Sequence, residues 1–321
     1  MAFFIVSQGG YKMSGMQVVT ADRFGNFAGK LQAGQTHYLP MIFGTVKESI
    51  KQTKWLETFD DQYVWLIDEL EEGNCLFALG KYEQALSITL MLPSDWSNRF
   101  TILESSIPNL IGWFVKRNAY QYLWAQMGED RFPPTLIVSA LPTFLKNGFR
   151  PEYRMTMKRD GKLPIPAALS LPEGVTREKY LEKNLDEIAF LISDVYAKEG
   201  VDYSFSEAKA DLIGYAENEL FQKSATFLRN GEGELVGGIC CGINEHPYIG
   251  EFVVSQKYQG RGLGQYLLNE SIRLLAKLYP EQAISLSTCR EWKRAVNLYE
   301  KYDFSPDKFW INLSLNKRPS D

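Results

Sequence analysis

The stretch Gln259-Gly260-Arg261-Gly262-Leu263-Gly264 follows the apolar pair Val253-Val254. It precedes a run in which Leu267, Leu268, Ser271, Leu274, Leu275 and Leu278 keep one side of a helix apolar or small. Two β-branched valines favour an extended strand, and the three glycines let backbone N–H groups converge with no Cβ atoms in the way. The first turn of the helix then presents N–H groups that have no intrahelical acceptor. Such a terminus favours an anion by roughly 0.3–2 kcal/mol, and a nest of N–H groups adds to this, which suits a diphosphate better than a single carboxylate. Two other phosphate loops are excluded by spacing. Counting from Gly262 and Gly264, Leu267 stands where a dinucleotide fingerprint needs a third glycine, and Gln265-Tyr266 stands where a Walker A loop needs Lys-Ser/Thr.

Metal chemistry is not expected. The four cysteines are Cys75, the adjacent Cys240-Cys241, and Cys289, with no CxxC spacing and only His37 and His246 as imidazoles. Cys289 follows a strand with no histidine near it in sequence, and it reads as a buried structural thiol rather than a nucleophile.

The chain that must position the loop has 321 residues, enough for two domains that each bury most of their apolar surface. A hydrophobic content of 45%, a charged content of 23% and a net charge of −4 describe an ordinary globular protein without the basic face that nucleic acid requires. The apolar run Met1-Ala2-Phe3-Phe4-Ile5-Val6 lacks a basic leader and ends at Ser7-Gln8-Gly9-Gly10, too short for a signal peptide or a membrane span. A reduced, cytoplasmic protein without a membrane or nucleic-acid partner is the expectation.

In the first half, an early strand is predicted at 3–6. Two helices follow over 45–70, from the spacing of Val46, Ile50, Trp55, Leu56, Phe59, Val64, Trp65 and Ile67, with Asp60-Asp61 as the cap between them. Strands are predicted at 75–79, 85–92 and 99–103, then a long helix over 108–127 that carries Trp113, Tyr120, Tyr122 and Trp124 as core or interface residues. A strand at 135–140, a short helix at 142–147 stopped by Gly148, and a strand at 153–157 complete this half. The proline-bearing segment 158–172 reads as a linker.

The second half repeats the order. Helices are predicted at 176–198 and 208–222, strands at 225–229, 235–242 and 248–254, and then the glycine loop and its helix. A strand at 283–287, a helix at 294–302 and a strand at 310–315 follow. Gly148-Phe149-Arg150-Pro151-Glu152 lies opposite Asp303-Phe304-Ser305-Pro306-Asp307, which suggests an internal duplication with a period of about one domain.

Gln259-x-x-Gly262-x-Gly264 fits a Gln/Arg-x-x-Gly-x-Gly/Ala pattern and here resembles the GNAT superfamily of acyl-CoA-dependent N-acyltransferases. Val254-x-Gln256-x-Tyr258-Gln259 is similar to that family's Val-x-Pro-x-Tyr-Arg/Gln lead-in, with Gln256 in place of proline. Ala295-Val296-Asn297-Leu298-Tyr299-Glu300-Lys301-Tyr302-Asp303-Phe304 is similar to its Ala-x-x-Leu-Tyr-Glu-Lys-x-Gly-Phe helix. Asp303 replaces the glycine, and Trp292 stands where an asparagine often precedes the helix.

The resemblance implies an α/β (α+β) fold of two tandem GNAT-like domains, 1–160 and 161–321, each a mixed, mostly antiparallel sheet flanked by helices. It implies that the backbone of Phe252, Val253 and Val254 pairs with the pantetheine arm of an acyl-CoA. Gln259, Gly260, Arg261, Gly262, Leu263 and Gly264 would then hold its pyrophosphate. Tyr299 would be the general acid that protonates the leaving thiolate. Glu251, on the strand before the loop, is the nearest candidate base for the incoming amine, with His246 second; the bland readings are a solvent-facing glutamate and a hairpin histidine. Arg290, Lys293 and Arg294 are left outside the site as solvated basic residues.

The expected activity is transfer of an acyl group from acetyl-CoA, or another acyl-CoA, to a primary amine of a small molecule or a protein, by direct attack and without a metal. Two alternatives stand beside it: an acyl-CoA sensor or scaffold without chemistry, and an aminoacyl-tRNA-dependent transferase, which the negative net charge disfavours. In the first half, Glu104-Ser105-Ser106-Ile107-Pro108-Asn109 has no glycine loop and Phe144 falls opposite Tyr299, so that copy reads as degenerate.

Overall fold

A computed structural model of the chain describes residues 16–18, 38–41, 63–70, 73–82, 85–93, 99–117, 119–128, 134–180, 182–201, 203–243 and 246–316. The strand expected at 3–6 lies outside them, as does all of 45–62. By contact the chain divides into two units, Met1–Tyr153 with Phe309–Asp321, and Arg154–Lys308.

The first unit carries β1 (Gln17–Val18), β2 (Tyr38–Met41), β3 (Tyr63–Leu70), β4 (Gly73–Tyr82), β5 (Ala85–Pro93), α1 (Arg99–Val115), β6 (Tyr122–Gly128), α2 (Pro134–Lys146) and the start of β7 (Arg150–Arg159). Its sheet runs β1-β3-β4-β5-β6 and ends on the later half of β13 (Ser305–Asn316), with β2 also on β5. Neighbours are antiparallel except β5 and β6, which run parallel at Ala85↔Tyr122 through Ser87↔Trp124. Ile102, Leu103, Ile107, Leu110 and Phe114 of α1 join Leu66, Leu79, Leu86 and Leu123 of the strands in one buried core.

Four expectations are corrected here. Residues 63–70 are a strand, because the ladder from Tyr63↔Gly80 to Leu70↔Gly73 supplies hydrogen bonds that overrule the helical spacing of their apolar residues. Residues 99–103 are the first turns of α1, since Ile102 and Leu103 continue the buried stripe of the helix. That helix ends at Val115, so Tyr122 and Trp124 belong to β6. The β-branched run inside 135–140 is helical, and α2 buries Ala140, Thr143 and Phe144 while Val138 faces solvent.

The second unit contains β7 from Arg154 onward, β8 (Val175–Lys179), α3 (Leu185–Lys198), α4 (Phe205–Ala216), α5 (Glu219–Ser224), β9 (Thr226–Asn230), β10 (Leu235–Ile243), β11 (Pro247–Val254), α6 (Leu263–Leu278), β12 (Ile284–Cys289) and α7 (Lys293–Glu300). Its strands are ordered β7-β12-β11-β10-β9-β8, antiparallel except for β11 and β12. The helix expected from 176 begins only at Leu185, because Val175–Lys179 pairs with β9 from Val175↔Asn230 to Lys179↔Thr226. The helix expected over 208–222 is broken at Asn218, whose side chain accepts from the N–H groups of Leu220 and Phe221 and starts α5.

Each half was expected to end on its own last strand, within limits 1–160 and 161–321. Those limits follow the chain, whereas the contact-defined units exchange two strands. β7 from Arg154 lies on β12, with Arg154↔Cys289 through Arg159↔Ile284, and β13 from Trp310 lies on β6. The segment after β7 is fixed by Arg159, 2% exposed, which donates to the carbonyls of Tyr302 (3.0 Å) and Pro164 (2.6 Å).

Two helix ends share one geometry. After α2, the Phe149 N–H donates to the Phe144 carbonyl at 3.2 Å, Gly148 takes φ +90°, and the Phe144 and Phe149 rings meet edge to face at 5.1 Å. After α7, the Phe304 N–H donates to the Tyr299 carbonyl at 3.1 Å, Asp303 takes φ +63°, and the Tyr299 and Phe304 rings lie 6.2 Å apart.

Candidate functional site

The site is built where β11 leaves its neighbours. On one side β11 pairs with β10 at Gly237↔Val254, Gly238↔Val253 and Ile239↔Phe252, and the register then shifts to Cys241↔Ile249. Gly250 and Glu251 thus lie opposite Cys240 alone, a bulge that bends the strand and re-aims the Glu251 side chain. On the other side β11 pairs with β12 only at Tyr248↔Ser285 and Ile249↔Leu286. Beyond these pairs the two parallel strands part, since β12 stays on β7 as far as Cys289. Among the described residues, the edge of β11 from Gly250 to Val254 is left without a strand on that side.

The glycine loop continues from this open edge. A short 3-10 turn over Gln256–Tyr258 leads to Gly260 at φ +77° and Gly262 at φ +85°, conformations that L side chains adopt only at a cost. Gly262 caps α6 with no side-chain hydrogen bond, and the first bond of the helix runs from the Tyr266 N–H to the Gly262 carbonyl at 3.0 Å. The N–H groups of Leu263, Gly264 and Gln265 therefore have no acceptor within the helix. Leu267, Leu268, Ile272 and Leu275 are fully buried on the inner face of α6. Each contributes about 1.5–3 kcal/mol by burial, which holds the helix terminus in place. Gln259 ties the loop to both sides: its Nε2 donates to the Val254 carbonyl at 3.2 Å, and its Oε1 accepts from Arg294 Nη1 at 2.9 Å.

Tyr299 is 6% exposed on α7, its ring 6.1 Å from that of Phe252. Burial pushes its phenol well above the usual tyrosine range; the Arg154 guanidinium opposes the shift, while Cys289 and Glu251 add to it. The hydroxyl therefore stays protonated at neutral pH and is able to donate. Glu251 accepts from the Tyr196 hydroxyl of α3 at 3.0 Å. Its carboxyl is raised above the ordinary value by burial, with Asp211 adding to the shift and the Tyr196 hydrogen bond and Arg154 working against it. Tyr196 lies between two further aromatic rings, Tyr203 at 5.2 Å and Trp292 at 5.6 Å, and its own ionisation is pushed far up by burial and Glu251.

One cavity of about 840 Å³ joins these parts. Of the residues singled out in the sequence, Phe252, Val253, Val254, Gln259, Gly260, Gly262, Gly264 and Tyr299 line it. Leu263 is buried on the core side of α6, and Arg261 stacks outward on the Tyr258 ring at 5.0 Å. Glu251 is not part of the lining; it lies behind Tyr196, which lines the cavity and donates to the Glu251 carboxylate. His246 is exposed at the start of the hairpin strand and is not part of the lining.

The lining holds further residues. Lys293 and Arg294, left outside the site as solvated, are exposed and border the cavity together with Trp292, which occupies the N-cap position of α7 without capping it. Val195 and Tyr196 of α3 and its C-cap Glu199 also line the cavity, and nothing in the amphipathic repeat of that helix marks them. Cys240, Cys241 and Cys289 are buried, and Cys289 accepts from Arg154 Nη1 at 3.6 Å, in keeping with a structural thiol. Among the described residues no group of three or more His, Cys, Asp or Glu is placed to hold a metal ion, and no helix is long and apolar enough to cross a membrane.

A parted pair of parallel strands followed by a glycine loop and a helix defines the class of fold, and known proteins place it in a family. Residues 190–304 match the model of the Acetyltransferase (GNAT) family, and this part of the chain belongs to the GNAT superfamily. A spermine/spermidine N(1)-acetyltransferase of Bacillus subtilis (strain 168) is 33% identical over 82 residues, covering 23% of this chain and 54% of the relative. The chain thus spans about half the length of the curated relatives it matches. Similarity of fold extends further. A GCN5-related N-acetyltransferase from Sphaerobacter thermophilus superposes with a TM-score of 0.58 at 14% identity, covering 97% of this chain and 98% of the other. A tandem GNAT protein from the clavulanic acid biosynthesis pathway gives 0.50 at 12% identity, covering 96% and 100%.

Proposed function

We propose that this chain is an N-acyltransferase that moves an acetyl group from acetyl-CoA to a primary amine of a small molecule. The observation that carries this reading is the meeting, in one cavity, of the open β11 edge, the loop glycines Gly260, Gly262 and Gly264, and Tyr299. In the reaction the amine nitrogen attacks the thioester carbonyl, the C–N bond forms, and the C–S bond breaks.

The residues divide the work by position. The β11 edge at Phe252–Val254 offers backbone donors and acceptors to the amide groups of the pantetheine arm. The N–H groups at the start of α6 face the pyrophosphate, which a helix N-terminus with αL glycines favours by roughly 0.3–2 kcal/mol before the nest is counted. Arg294 adds positive charge beside Gln259. Glu251 takes the proton of the attacking amine, directly or through water, and its raised pKa brings it nearer to the range of a useful base. Tyr196 positions that carboxylate. Tyr299, kept neutral by burial, delivers a proton to the departing sulfur.

The acceptor reading has one support: the curated relatives are named for spermine and spermidine, small polycationic amines. We further read the first unit as a copy that has lost this chemistry. Glu104–Asn109 sits inside α1 rather than in a glycine loop, and Phe144, which has no proton to give, holds the place that Tyr299 holds before its own αL stop.

A mass-spectrometric screen of amines, polyamines included, with acetyl-CoA and longer acyl-CoAs tests the reading. Appearance of an N-acetylated product that depends on enzyme and acetyl-CoA is the expected result. Binding of acetyl-CoA with no product across the panel would instead indicate a sensor.

A further inference from the structure

A second concave site in the same unit has a different composition. A pocket of about 260 Å³ lies between β8 and the C-terminal half of α6, and it shares no lining residue with the large cavity. Its wall carries five cationic side chains, Arg177, Lys179, Lys223, Arg273 and Lys277, and a single carboxylate, Glu270. The chain as a whole has a net charge of −4, so this positive surplus is a local arrangement.

The charges are only partly neutralised by their neighbours: Lys223 pairs with Glu219 one turn before it, outside the pocket wall. Glu270 serves two arginines at once: Oε2 lies 2.8 Å from Arg177 Nη1, and Oε1 lies 3.8 Å from Arg273 Nε. The Lys179 ammonium donates to a neutral group, the Lys223 carbonyl, at 2.7 Å. Its pKa is lowered chiefly by burial, with Arg177 adding to the shift and Glu270 opposing it.

Part of the wall is anchored. Thr226, Ser224 and Ser271 are buried beneath the cations, and Thr226 Oγ1 accepts from Arg177 Nη2 at 3.4 Å. Arg273 Nη1 is fixed on the Pro166 carbonyl at 2.6 Å. The volume is below the roughly 300–1,000 Å³ typical of sites for drug-sized ligands, so the occupant is small.

We propose that this pocket is a second anion site, which binds a compact multivalent oxyanion of the phosphate class independently of the cavity beside the glycine loop. The assignment does not rest on the acyl-transfer reading. Isothermal titration of the full chain, saturated with desulfo-CoA and held at constant ionic strength with chloride, tests it with inorganic phosphate, pyrophosphate and 3′,5′-ADP as probes.

Saturable binding with one equivalent is expected, and the tightest of the three probes distinguishes free phosphate, a diphosphate and a nucleotide-borne phosphate as its source. The double variant K223E/K277E alters two lysines at the pocket rim and should weaken binding at least about tenfold, equivalent to about 1.4 kcal/mol, with desulfo-CoA affinity unchanged. If that variant does not fold, as read from its thermal melt, K277E alone should weaken binding in the same direction. Absence of saturable heat with all three probes up to about 10 mM, a range in which even millimolar affinities register, would overturn the proposal. Binding that the folded variant leaves intact would do the same.

Discussion

Tyr196 donates its phenolic hydrogen to Oε2 of Glu251 across 3.0 Å, a contact between residues 55 positions apart that joins α3 to the bulge of β11. The hydrogen bond stabilises the carboxylate against the burial that disfavours it. Its loss in Tyr196→Phe should move the Glu251 pKa further up. With Glu251 acting as base in its ionised form, the acid limb of the kcat/KM profile should shift to higher pH and activity below the limb should fall. An unmoved limb would remove Tyr196 as a positioning residue.

Glu251 also leaves a signature in stability. Its folded pKa lies above the unfolded value, so its contribution is fully present below the unfolded pKa and is lost as pH rises through the folded one. Glu251→Gln replaces it with a neutral isostere. The variant should therefore melt above wild type at pH 8 and converge with it near pH 4, as followed by circular dichroism.

Tyr299→Phe removes one hydroxyl from a site that is otherwise packed by Phe252 and Phe304. Turnover should drop by about tenfold or more, within the usual range for a lost general acid, while acetyl-CoA affinity stays the same. Steady-state rates and calorimetry measure the two quantities separately, and an unaltered rate would exclude Tyr299 as the proton donor.

Gly262 allows two graded substitutions. A Cβ there meets nothing within 4 Å, so the penalty of Gly262→Ala comes from φ +85° alone, roughly 1–2 kcal/mol for an L residue in this region. Gly262→Ala should weaken acetyl-CoA binding without abolishing it. Gly262→Glu places a carboxylate where the pyrophosphate is expected, and binding at wild-type strength in calorimetry would show that the site is misread.

Arg159 tests the architecture rather than the chemistry. Its guanidinium serves the Tyr302, Pro164 and Asp160 carbonyls from a position that is 2% exposed. Arg159→Met leaves these acceptors unsatisfied at about 1–3 kcal/mol each in a buried setting. Urea unfolding should show a loss of at least about 2 kcal/mol; a smaller change would mean that water replaces the side chain.

The parts of the site that depend on local chain chemistry were legible in the sequence. Gly260 and Gly262 announce themselves because only positive φ makes such a loop, and Tyr299 stands five residues before Phe304 in a recognisable helix end. Element types were less legible in the first half. Thr135-Leu136-Ile137-Val138 favours a strand by propensity yet forms α2, and Tyr63–Leu70 carries helical spacing yet forms β3, because tertiary pairing decides both. The bulge opposite Cys240 and the parting of β11 from β12 are properties of register between strands, and no residue type encodes them singly. Tyr196 and the exchanged strands were hidden for the same reason: their partners lie far off in the chain.

The pairing of β13 with β6 has a consequence for how this protein is made. On the ribosome β6 emerges early, and the strand that covers its edge arrives only after all of the second unit has been translated. During that interval the edge is open to pairing with other nascent chains, a known route to aggregation. Proteolysis or a premature stop just before Phe309 would leave it open permanently, so the damage would surface first as insolubility and chaperone capture.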